Sequence, residues 1–198
     1  MQLNKRNLFL LSLLTLIGFS GVGFLLIYLF LDVDPLTVLS AGAPIHKQLL
    51  YGSLFGITAV ANAIWLINMK WLGHSKDFFG NMIQKLKPNI LEICFYSMCA
   101  GVGEEILFRG AIQPHLGIWP TAILFIVLHG YLSFSNLALM LYGVLMVVVS
   151  AGLGYLFDNF GIHAAIVAHF LFDFFMFLYL IHFSKGEKQQ ESTETDIE

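Results

Sequence analysis

Glu104, Glu105 and Arg109 stand together in the apolar run GVGEEILFRGAIQPHLG, residues 101–117. Charged side chains at membrane depth are costly and persist mainly where a structure or a reaction uses them. Glu105 and Arg109 are four residues apart, so on a helix they share a face, with the acid placed first, the favourable order. They can neutralise one another. Glu104 is turned away by about 100° and has no such partner on its own helix. One glutamate reads as structural, and its neighbour reads as available.

Two later apolar stretches add His129, His163, His169 and Asp173. A carboxylate in weakly polar surroundings can serve as a general base near neutral pH. An imidazole beside it can orient the same water or shuttle its proton. A second polar group could hold the oxyanion formed when water attacks an amide. There is no serine in a G-x-S-x-G turn, and Cys94 and Cys99 lie more than a turn from Glu104. The pattern points to direct attack by water, either activated by a base or bound to a metal.

These residues must be positioned by membrane helices. Of the 198 residues, 58% are hydrophobic and 12% charged, where soluble domains carry about 25% charged residues. The fold class is an all-α polytopic membrane helix bundle. Six spans are expected at about 7–31, 47–69, 89–113, 119–134, 137–157 and 160–183, within one transmembrane domain, 1–183. The first run is too long for a signal-peptide core and reads as a retained span. Residues 75–87 alternate apolar and polar faces at helical spacing, as an interfacial amphipathic helix would. The polar tail 184–198 is expected to be disordered. In the second span Gly52 with Gly56 and Ala59 with Ala63 suit close helix packing.

Charge and cysteine usage exclude other classes. No basic patch with interleaved aromatics supports nucleic-acid binding, and two cysteines in one apolar segment make neither a disulfide framework nor a zinc motif. With the N-terminus inside, the inner side holds Lys5, Arg6, Lys70, Lys76, Lys85, Lys87, Lys185 and Lys188 against Lys47 and Arg109 outside. That bias places both termini in the cytoplasm. By the same rule the loop QPHLGIW, which lacks lysine and arginine, puts the nearer mouth of the site outside. The small size suits a bacterial inner membrane.

Connectivity also fixes depth. Glu104 lies nine residues before Gln113, His129 ten after Trp119 and His169 nine after Phe160. All three points are ends of spans on one side, so at 1.5 Å per residue each is roughly 14 Å deep. Three helices therefore bring an acid and two histidines to one layer, with Asp173 on the His169 face one turn deeper. His163 is off that face.

Glu104-Glu105-x-x-x-Arg109, Phe125-x-x-x-His129 and His169-x-x-x-Asp173, in this order over about residues 95–175, resemble the CPBP family, the type II CAAX prenyl proteases and bacteriocin-processing enzymes also called the ABI family. The resemblance implies an intramembrane glutamic endopeptidase acting on a peptide or membrane-protein substrate at the lipid bilayer. It implies that Glu104 activates the water with help from His129, that His169 and Asp173 bind the oxyanion, and that Glu105 and Arg109 hold the site together. Many members carry Asn where this chain has Asp173, and an ionised carboxylate cannot donate to an oxyanion. Asp173 is then protonated, orients His169, or ligates a metal. No cofactor is required, although a divalent metal such as zinc could be held by Glu104, His129, His169 and Asp173. Two other classes share the features: a non-catalytic immunity or scaffold protein binding a membrane partner, and a small transporter using Glu104, His129 and His169 as a proton relay.

Overall fold

The computed structural model describes residues 4–69, 86–130 and 137–195. Among the described residues there are seven helices and no strand. In chain order they are α1 (Lys5–Leu31), α2 (Pro35–Ser40), α3 (Ile45–Ile67), α4 (90–116), α5 (Ile118–Leu128), α6 (Leu137–Phe160) and α7 (Ile162–Thr195). Four of them contain segments long and apolar enough to cross a membrane: Lys5–Leu31, Ile45–Ile67, Leu139–Phe160 and Ile162–His182. The chain is a polytopic helical membrane bundle, as its composition indicated.

Local signals set the ends. Asn89 and Glu92 form a reciprocal capping box that starts α4, satisfying backbone donors that a helix start leaves open. Asp34 caps α2 and Pro35 fills its first turn, a short helix inside what the sequence suggested was a loop. Gly161, at φ +113, makes the sharp turn from α6 into α7, a conformation that glycine adopts without steric penalty.

Three elements depart from the sequence expectation. Helix α5 stops at Leu128 instead of near 134, with His129 as its C-cap and a turn through Gly130; residues 131–136 lie outside the described residues. At about 1.5 Å per residue, its 11 residues cover only about half of a 30 Å hydrocarbon core. Helix α7 continues to Thr195, so the polar stretch expected to be disordered is helical as far as that residue. Lys, Glu and Gln are good helix formers and no proline interrupts them. The expected amphipathic helix 75–87 falls almost wholly outside the described residues; of it, Leu86 is buried and Lys87 has φ +41.

The bundle is inverted in polarity. Large apolar side chains such as Leu14, Leu54, Trp65 and Val148 face outward, while Glu105, Arg109, Ser150 and His169 are buried. Lipid on the outside and polar groups gathered against one another inside account for both. Helix α7 packs against α3, α4 and α6 at the centre. A Cβ at Gly52 or Gly56 of α3 would stand 2.5 or 2.6 Å from the carbonyl oxygens of Ala164 and Ala168, so these two backbones touch. The small-residue pairs of the second span serve this contact.

Helix α1 meets α4 in the same way. A methyl at Gly103, the residue before Glu104, would overlap the carbonyl of Thr15. Gly103→Ala is therefore expected to destabilise the protein by about 1–3 kcal/mol, as overpacking does. Gly21 has open space around it, so Gly21→Ala is expected to be neutral or slightly stabilising. Thermal unfolding of both variants in one detergent checks the contrast, and equal behaviour would contradict it.

Candidate active site

Helix α4 supplies the acids. Its regular part, Ile90–Glu105, ends on the second glutamate, and a π-helical stretch, Ile106–Ile112, carries Arg109. Such wide turns occur frequently at functional sites. Glu105 is fully buried and Arg109 is 1% exposed. The Glu105 carboxylate lies 3.2 Å from Arg109 Nε through Oε2 and accepts from His169 Nδ1 at 2.7 Å through Oε1. Arg109 donates through Nη2 to the Ser150 carbonyl at 3.0 Å and to Ser150 Oγ at 2.8 Å. Its guanidinium also sits 4.8 Å from the centre of the Phe125 ring, a favourable cation–π position. A buried ion pair is tolerated only when such extra bonds satisfy it.

Phe125 explains the first letter of the F-x-x-x-H pattern. Its carbonyl accepts from His129 Nδ1 at 2.7 Å, while its ring lies 4.3 Å from the His129 ring and 5.9 Å from that of His169. Both histidines thus commit Nδ1 to an acceptor, which fixes where Nε2 points. Each Nε2 faces Glu104: Oε2 is 3.6 Å from His129 and 3.8 Å from His169. Asp173 Oδ2 is 3.6 Å from the same His169 nitrogen.

Glu104 Oε2 is buried and has no hydrogen-bond partner among the described residues. The three separations around the histidine nitrogens are too long for direct hydrogen bonds and fit groups that share a small third molecule. These groups lie on the wall of a cavity of about 230 Å³. Its walls include Glu104, His129, His169, Asp173 and Ser150, together with apolar side chains such as Phe55, Met146 and Phe172. The volume equals roughly seven or eight waters at ~30 Å³ each.

The structure therefore brings together all six residues selected from the sequence. His163 is elsewhere, its backbone N–H donating to Gln48, and Glu92 pairs with Lys5 at 2.7 Å. Among the described residues, no group of three or more His, Cys, Asp and Glu side chains is arranged to hold a metal ion. Ser150 is not among the residues selected from the sequence, because the fifth span carries no charged residue before Asp158 to mark it. The available signal was Arg109 itself, whose five donors exceed what one carboxylate accepts.

No solved structure matches the chain significantly. The uncharacterized protein YpbD of Bacillus subtilis (strain 168) is 31% identical over 108 residues. That stretch covers 53% of this chain and 55% of YpbD, about half the length of each. Residues 86–175 match the family of type II CAAX prenyl endopeptidases described as Rce1-like. The match encloses all three motifs, so it is through this segment that the chain is similar to the Rce1-like family.

Proposed function

We propose that the protein is an intramembrane endopeptidase in which Glu104 activates a water to hydrolyse a peptide bond. The observation that carries this reading is the buried Glu104 Oε2, without a hydrogen bond among the described residues, facing two histidine nitrogens on the wall of a cavity. A water bonded to Glu104 gives its proton to the carboxylate as its oxygen forms a bond to the scissile carbonyl carbon. The carbonyl π pair moves onto oxygen as an oxyanion. When the C=O bond re-forms, the C–N bond breaks, and its electron pair takes the proton from Glu104. One water is consumed, and a carboxyl group and an amine are released.

The other residues support this sequence. His129 holds Nε2 toward Glu104 and orients the water. His169, when protonated, offers Nε2–H toward the oxyanion, with Asp173 beside that nitrogen orienting the ring. Glu105 and Arg109 fix the position of both. No step is routed through a metal, so chelators are expected to leave activity intact; stoichiometric zinc removed together with activity would overturn that reading. The substrate is read as a peptide or membrane protein reaching the site within the bilayer. The location is proposed as a bacterial cytoplasmic membrane with both termini inside.

The test is cleavage by purified protein reconstituted in vesicles, using a mixture of membrane peptides and mass spectrometry of the fragments. New termini that vanish with Glu104→Gln support the reading. If the wild type cleaves nothing while remaining folded and partner-bound in its own membrane, the scaffold reading takes its place.

A further inference from the structure

We propose that Ser150 of α6 is an additional catalytic residue, whose hydroxyl, polarised by Arg109, donates a hydrogen bond to the oxyanion. The inference rests on the peptidase reading above and adds a residue that no motif contains.

Three observations lead to it. First, Ser150 lines the same cavity as Glu104, His129 and His169. Second, it lies ten residues before Phe160 on α6, roughly 15 Å from that end of the bundle, in the layer already occupied by Glu104, His129 and His169. Third, its oxygen accepts from Arg109 Nη2 at 2.8 Å, and its carbonyl accepts from the same nitrogen at 3.0 Å. Among the described residues, the hydrogen bond of the Ser150 hydroxyl is the one from Arg109 Nη2. A helical hydroxyl often gives its hydrogen to the carbonyl four residues back, and Ser12, Thr15 and Thr58 do so here. Ser150 is held by a cation instead, and its hydrogen is left to point toward the cavity. A donor whose oxygen is itself bonded by a charged group is strengthened.

Elimination supports the same residue. Ionised Asp173 accepts only, and His129, when neutral with Nδ1 donating to the Phe125 carbonyl, offers only an accepting Nε2, so Ser150 is the neutral donor that joins protonated His169 at the oxyanion. Tyr142, another hydroxyl on the cavity wall, lies eight residues away on α6, about 12 Å along the helix. During the reaction Ser150 keeps its proton: it donates to the carbonyl oxygen as the π pair arrives there and is released when C=O re-forms.

The experiment uses the full chain in vesicles and a peptide that the wild type cleaves, made with either an amide or a thioamide at the scissile bond. Loss of one oxyanion donor lowers kcat by about 10²–10³, so Ser150→Ala is expected to show that fall with KM unchanged. Ser150→Thr, which keeps the hydroxyl, is expected to recover most of the activity. The thioamide penalty is expected to shrink in Ser150→Ala, because sulfur accepts the lost bond poorly in the first place. Should the alanine variant not fold, Ser150→Cys, a weaker donor of similar shape, serves in the same comparison. Wild-type kcat in a variant that has only lost thermal stability overturns the proposal, as does an undiminished thioamide penalty. A wild type that cleaves no peptide overturns the peptidase reading first, so the two failures are distinguishable.

Discussion

Glu105→Ala protein is expected to be less stable than the wild type by about 3–5 kcal/mol, the loss typical of breaking a buried ion pair from one side. The substitution leaves Arg109 charged at 1% exposure, with Nη1 already lacking a partner among the described residues. It also removes the acceptor of His169 Nδ1. The harm comes from the stranded cation rather than from the lost attraction. A double variant, Glu105→Leu with Arg109→Met, is therefore expected to regain much of the loss, since an apolar pair of similar volume is often neutral. Denaturation of the three proteins in one detergent measures this. A single variant as stable as the wild type would show that the pair is not the brace described.

Its neighbour is expected to respond in the opposite sense. Glu104→Gln keeps the shape of the side chain and removes the basic oxygen, so activity is expected to fall by about 10²–10⁴, the range for a lost general base. Stability is expected to be unchanged or raised, because Glu104 Oε2 is a buried acceptor without a hydrogen bond among the described residues and active-site groups of this kind commonly cost stability. Two adjacent glutamates thus separate cleanly: one variant unfolds more readily, the other folds and does not react. Comparable stability losses in both would contradict the division.

This division was legible in the sequence because helix geometry is. Spacing of four put Glu105 with Arg109, and the offset of one turned Glu104 away; the structure places the former pair 3.2 Å apart and the latter on the cavity. Depth was legible for a similar reason, since rise per residue and connectivity brought Glu104, His129 and His169 into one layer. The residues that were not legible depend on contacts between helices. The bond from His169 to Glu105 links two elements 64 residues apart, and nothing in either segment announces it. Ser150 is an ordinary small residue until Arg109 reaches it. The early end of α5 is marked by Gly130, but Tyr131, Leu132 and Phe134 beyond it let the apolar run read as longer. The wide turns of α4 leave no residue signature, because a shifted backbone hydrogen bond needs no particular side chain.

Helix α1 lies outside the family match, which begins at residue 86, yet it touches the backbone one residue from Glu104 through Gly103. The motif segment and the N-terminal helix therefore form one packing unit around the site.

The most direct test of the central claim is cleavage in water enriched in oxygen-18, by purified wild type and Glu104→Gln protein in vesicles. The account expects the wild type to place one labelled oxygen in each new carboxyl terminus, with no covalent acyl-protein adduct in the mass spectrum, and the folded variant to yield no labelled fragment above background. Equal labelled product from the Glu104→Gln protein would contradict it.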